Sequence, residues 1–279
     1  AGSVCLYVSA GTHLIADVNA WFPVAGAGAL TPARLLDSRP GYATVDGLSA
    51  GIGRRPAGSV TELVVAGRGG VPAEAGAVGL NVTVTGAGGA GYVTVFPCGA
   101  PMPLASNLNV APGLTVPNAV LAKLGTAGRA CLFSSVDAHL IVDVNAWLPA
   151  GNSGAVTPVR LLDSRPGFAT GDGVSAGIGL RPAGSVTELV VAGRGAVPIE
   201  ADAVGLNVTV TGAGGAGYVT VFPCGTTMPL ASNLNFSAGQ TVPNAVLAKV
   251  GASGKVCLYV SAATHVIADV NAWFGSLEG

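Results

Sequence analysis

The chain has 279 residues, half of them apolar, with only 10% charged and a net charge of −1 from 13 basic and 14 acidic side chains. Such a composition is globular and excludes a disordered chain, and scattered single charges leave no basic stripe for a phosphate backbone, so nucleic acid is set aside as a partner. Gly, Asn, Thr or a charge interrupts every apolar run before it reaches bilayer length, so no membrane insertion is expected.

Residues 1–22, "AGSVCLYVSAGTHLIADVNAWF", nearly match residues 254–274, "GKVCLYVSAATHVIADVNAWF". Self-similarity runs further: residues 31–148 recur at 157–274 with an offset of 126, and the same offset carries 5–22 onto 131–148. A period of that size is a domain, not a solenoid rung. The expected organisation is a surplus closing β segment (1–22), a linker (23–30), a first β repeat domain (31–148), a linker (149–156), a second β repeat domain (157–274) and a tail (275–279). The extra segment is either the remnant of an upstream unit or an edge-adding assembly element.

Within the first unit, "RLLDSRPG" (34–41) reads as a strand ending in a Pro-Gly turn. It places Asp37 and Arg39 on one face with Arg34 opposite, an ion-pair strut at a strand end or an anion site. "LNVTVT" (80–85) alternates strictly, with Leu80, Val82 and Val84 against Asn81, Thr83 and Thr85. "GAGGAG" (86–91) formally matches a dinucleotide fingerprint but precedes a strand, so it reads as a hairpin loop. "NAVLAKLG" (118–125) fits a strand or one short helical turn. Asparagines 81, 107, 109, 118 and 145 suit turn and edge capping. In "HLIVDVNAWL" (139–148), Leu140, Val142, Val144, Ala146 and Leu148 form one apolar face, and His139, Ile141, Asp143, Asn145 and Trp147 the other. Eight or nine short strands per unit give the fold class: all-β, two tandem antiparallel β-sandwich or small β-barrel domains.

The string "RLLDSRPG … GVP … LNVTVT … GYVTVFPCG … SNLN … VPNAV … GKVCLYVSA … HVIADVNAWF" resembles a repeat module of secreted and cell-surface bacterial proteins, found singly, in tandem or appended to exported enzymes. The resemblance covers nearly all of both units. It implies a secreted, extracellular or cell-surface location and a non-catalytic accessory or structural role, and it brings no ligand with it.

The cysteines fall into two classes by the offset: Cys98 and Cys224 end one strand, while Cys5, Cys131 and Cys257 begin the closing segment. Pairing within units gives Cys98–Cys131 and Cys224–Cys257, each closing a loop of about 33 residues and contributing roughly 3–4 kcal/mol, and leaves Cys5 unpaired or intermolecular. Buried free thiols are the alternative. A shifted register, Cys5–Cys98 and Cys131–Cys224, moves the orphan to Cys257.

Asp143, Asn145 and Trp147, with Asp17, Asn19, Trp21 and Asp269, Asn271, Trp273, offer a carboxylate, an amide and an indole, the ingredients of a glycan site. The bland reading pairs Asp143 with an arginine such as Arg39 and puts Trp147 in an inter-strand gap. His139 and Asp143 stand about 13 Å apart along a strand. One histidine per closing segment makes no metal site, and without a G-x-S-x-G elbow no hydrolase is expected. No cofactor and no catalytic residue is assigned. The leading expectation is a non-enzymatic structural or adhesive protein whose partners are other copies of itself, in a filament or surface layer. The alternative is a lectin-like module for cell-wall or extracellular polysaccharide.

Overall fold

The computed structural model describes residues 3–18, 28–149 and 153–275. The first unit contains β1 (Gly28–Asp37), β2 (Ser59–Val64), β3 (Ala75–Thr85), β4 (Gly91–Pro97), β5 (Leu108–Val110), β6 (Val116–Lys123), β7 (Arg129–Ser134) and β8 (His139–Pro149). The second repeats them as β9 (Ser153–Asp163), β10 (Ser185–Val190), β11 (Ala203–Thr211), β12 (Gly217–Pro223), β13 (Leu234–Phe236), β14 (Val242–Lys249), β15 (Lys255–Val260) and β16 (His265–Phe274).

Each unit is a sandwich of two antiparallel four-stranded sheets, in the orders β1-β8-β3-β6 and β2-β7-β4-β5 for the first unit. The second unit has the same two sheets, β9-β16-β11-β14 and β10-β15-β12-β13. The alternating strands turn one face of each sheet inward. Leu36, Leu80, Val82, Val142 and Val144 from one sheet meet Leu63, Val93, Val95 and Leu132 from the other in one core. Leu162, Leu206, Val208, Leu189, Val219 and Leu258 do so in the second.

Residues 118–123 belong to strand β6, so the helical alternative is dropped: Val120 and Ala122 face the core and need period two. The 86–90 connection is not a hairpin loop, because β3 and β4 lie in different sheets and the chain crosses between them there. Strands β1 and β9 begin at Gly28 and Ser153, inside the segments expected to be linkers, since pairing with β8 and β16 continues back to Trp147 and Phe274.

The closing segment supplies two strands, β7 and β8. β7 runs between β2 and β4, and β8 between β1 and β3, so each is a central strand with a ladder on both sides. This corrects the expectation for the surplus copy: residues 3–18 contain no strand and are exposed. Strands of this kind are stabilised by neighbours on two sides in each of two sheets, and the described residues 3–18 pair with no strand.

Both disulfides join the expected partners, Cys98–Cys131 and Cys224–Cys257, with Cα atoms 5.0 Å apart. Cys5 is a free, exposed thiol.

Candidate functional site: one polar sheet face, open in one unit and covered in the other

Two β-bulges decide which side chains share the outer face of the β1-β8-β3-β6 sheet. Between Arg34 and Leu36 the register with β8 slips by one residue, so Arg34 lies opposite Asp143 while Leu35 and Leu36 are both fully buried. Arg34 therefore joins Asp37 instead of opposing it. Its Nε donates to Asp143 Oδ1 at 2.8 Å, Nη2 to Asp143 Oδ2 at 3.1 Å, and Nη1 to Asp37 Oδ2 at 3.0 Å. The expected partner of Asp143, Arg39, instead clamps Asp37 at 2.9 and 2.7 Å and stacks over Tyr42 at 3.6 Å.

The second slip falls at Asn145. Leu80 faces Val144, but Gly79 faces Ala146 and Val78 faces Trp147. Directly opposed residues share a face. Trp147 is thus on the core side with the fully buried Val78 and packs against the core, close enough to Gly28 that a Cβ there would meet its indole. Leu148 turns outward, into a small cluster with Ala77, Ala155 and Leu121. The expected Asp143, Asn145 and Trp147 face is not assembled: Asp143 is ion-paired, Asn145 sits exposed at the bulge, and the indole has left the face. Asp17 is exposed in irregular chain, and Asn19 and Trp21 lie outside the described residues.

In the second unit the network is the same: Arg160 donates to Asp269 at 2.8 and 3.3 Å and to Asp163 at 3.1 Å. Trp273 faces Val204 as Trp147 faces Val78. The surroundings differ. Arg34 and Asp143 retain 35% and 21% side-chain exposure, Arg160 and Asp269 only 8% and 1%. Asn145 is exposed and Asn271 is buried.

The cover is the first unit. Asn118 Nδ2 donates to Asn207 Oδ1 at 2.9 Å, its Oδ1 accepts from the Ala245 N–H at 3.1 Å, and Asn207 Nδ2 donates to the Ser106 carbonyl at 2.6 Å. Leu121 lies over Gly205, where an added Cβ would come within 2.7 Å of its Cδ1. Burial under this cover pushes the Asp269 carboxyl up, against the pull of the Arg160 guanidinium. Beside the contact a cleft of about 300 Å³ opens between the units, walled by Gly79, Leu121, Trp147, Gly205 and Leu247 with Asn145 and Asn271 at its polar points.

Three features escaped the sequence reading. Asn118 links the units, whereas its spacing suggested only capping. Arg68 is buried and binds Asp46 and the Leu35, Leu48 and Val64 carbonyls, tying the 38–58 loop to the sandwich. Ser38 lies 3.0 Å from Nδ1 of His139, but its hydroxyl accepts the Leu140 N–H and is fully buried, so it is a strand-end tie out of a substrate's reach.

Among the described residues no group of three or more His, Cys, Asp or Glu could hold a metal ion, and no helix is long and apolar enough to cross a membrane. No family model and no curated protein matches the chain. Among solved structures it is similar to the N-terminal CBM22-1-CBM22-2 tandem domain of Xyn10C from Paenibacillus barcinonensis, at 14% identity and a TM-score of 0.22, over 89% of this chain and 99% of that one. A likeness of that degree carries no argument about this chain. The class defined by fold and disulfides alone is a tandem, disulfide-pinned β-sandwich protein.

Proposed function

We propose that this is a non-enzymatic structural repeat protein of the cell exterior that associates with copies of itself, in a filament or surface layer, through the outer faces of its sandwiches. One observation carries the reading: the first unit covers the polar sheet face of the second with matched hydrogen bonds, Asn118 to Asn207 and Asn207 to Ser106, whereas the identical face of the first unit is open. The cover pairs Asn118, Asn207 and Ser106 while Thr209 Oγ1 and Asn271 Oδ1 go without a partner, and the paired groups support a protein contact at this face. The two disulfides fit an oxidising compartment, and the likeness of the repeat to surface modules supports the same location.

The test is size-exclusion chromatography with light scattering, together with electron microscopy, over a wide concentration range. Concentration-dependent multimers are expected, and monomers alone at the highest concentration refute the reading. The second reading, binding of a cell-wall or extracellular polysaccharide, draws on the half-buried polar groups of Arg34, Asn81 and Asp143 and the exposed Asn145. Saturable binding on a glycan array, lost in Asp143→Ala with the fold intact, would promote it.

A further inference from the structure

Resting on the self-association reading, we propose that the open face of the first unit receives the second unit of another copy, in the geometry that joins the two units within one chain. The covering surface consists of the Ser106 backbone, the Asn118 carboxamide and the Leu121 side chain. At the offset of 126 these become Ser232, Asn244 and Leu247, within stretches identical in sequence: "MPLASNLN" at 102–109 and 228–235, and "TVPNAVLAK" at 115–123 and 241–249. The local build is also the same, since Asn118 donates to the Asn107 carbonyl and Asn244 to the Asn233 carbonyl.

The receiving surface of the second unit is Asn207 and Asp269 with Gly205 and Asn271 beside them; in the first unit the equivalents are Asn81 and Asp143, with Gly79 and Asn145 at the edge that already walls the cleft between the units. Around Asn81 and Asp143 the two receiving surfaces differ only on the core side, at Leu140 against Val266 and Val142 against Ala268, all fully buried; the outward differences, Leu148 against Phe274 and Gly76 against Asp202, lie at the far end of the strands.

Each chain therefore leaves unused the polar part of both halves of a contact it already makes, Asn81 and Asp143 on one side and Ser232 and Asn244 on the other, while Gly79, Asn145 and Leu247 already line the cleft between its own units. On the receiving side, Asn81 is half-buried where Asn207 is 1% exposed. On the covering side, Asn233 and Asn244 are half-buried where Asn107 and Asn118 are buried, and Leu230 beside them is fully exposed. A contact between different patches on the two partners is heterologous. Repeated from chain to chain it gives a ring if the rotation closes and an open filament if it does not.

Engineered cysteines test this in a Cys5→Ser background of the full chain. Ser106→Cys with Asn207→Cys probes the contact within the chain, and Ser232→Cys with Asn81→Cys the proposed one between chains. Under mild oxidation the first pair should close within a monomer, and the second should give a ladder of covalent multimers that neither single variant gives. If light scattering shows association but the second pair yields no ladder, this geometry is wrong and the broader reading stands. If only monomers are seen, both fall. The proposal is also overturned if the second pair closes within one chain, if Asn81→Cys alone gives dimers, or if the first pair stays reduced.

Discussion

Asp143→Ala and Asp269→Ala are the same substitution made twice in one molecule. Each removes a carboxylate that accepts two hydrogen bonds from an arginine, at 2.8 and 3.1 Å in the first unit and 2.8 and 3.3 Å in the second. Each leaves that arginine bound to a second aspartate, Asp37 or Asp163. Only burial differs. Arg34 remains about one-third exposed and can be solvated when its partner goes, so the loss should be at most about 1 kcal/mol. Arg160 is 8% exposed, and stripping a buried guanidinium of one partner costs about 3–5 kcal/mol. Hydrogen exchange read by mass spectrometry on peptides from each unit measures both in the intact chain. At about 1.4 kcal/mol per factor of ten, Asp143→Ala should lower protection in β3 and β8 by about fivefold, and Asp269→Ala in β11 and β16 by more than about 100-fold. Equal losses in the two units would show that the first does not cover the second.

Three further outcomes follow from the packing. Replacing Cys98 and Cys131 with serine, or Cys224 and Cys257, opens a loop of 33 residues and should lower the urea-unfolding free energy of that unit by about 3.7 kcal/mol; a change below about 1 kcal/mol would contradict the loop-entropy account. Gly125→Ala should destabilise by more than about 2 kcal/mol in the same assay, because its Cβ would lie 2.1 Å from the Cys98 carbonyl oxygen, while Gly214→Ala, with open space around it, should stay within about 0.5 kcal/mol. Arg68 and Arg194 hold Asp46 and Asp172 down at about 2, below their unfolded value near 4. Their contribution is therefore complete above about pH 4 and lost as pH falls through 2. It is at most about 1 kcal/mol each, because both carboxylates are about one-third exposed. Arg68→Met with Arg194→Met should flatten that part of the stability-pH curve.

The strands, the duplication and the disulfide pairs were legible because alternation, period and cysteine spacing are local properties of the string. Facing was not, because one extra residue inverts every side chain beyond it. "RLLD" contained the sign of it: strict alternation cannot bury both Leu35 and Leu36 in a sheet with one solvent face, and the bulge that does so brings Arg34 beside Asp143. "NAWL" contained another, in adjacent apolar residues at 147 and 148. Read with a slip at Asn145, it sends Trp147 to the core and Leu148 to the contact between units. What no reading of the string supplies is the difference between Asp143 and Asp269. Both are followed by "VNAW" and differ upstream within their strands only at buried positions, and the presence of a neighbour is what separates them.

Topology also decides how a chain of this design can meet another. Adding the surplus closing segment to a sheet edge is poorly matched to its build, because its counterparts β7 and β8 are central strands of two different sheets, each paired on both sides. A donated copy needs vacancies in both sheets at once, and each unit fills both with its own segment. The outer faces carry no such restriction. They are already complete sheets, they bear hydrogen-bonding groups at fixed positions, and one of the two is used in this way inside the chain. Association by face needs no strand exchange and no unfolding of either partner. The prediction is therefore specific: deleting residues 1–22 should leave self-association intact by light scattering, and Asn81→Arg, which fills the open face with a long side chain beside Asp143 and removes the carboxamide, should abolish it.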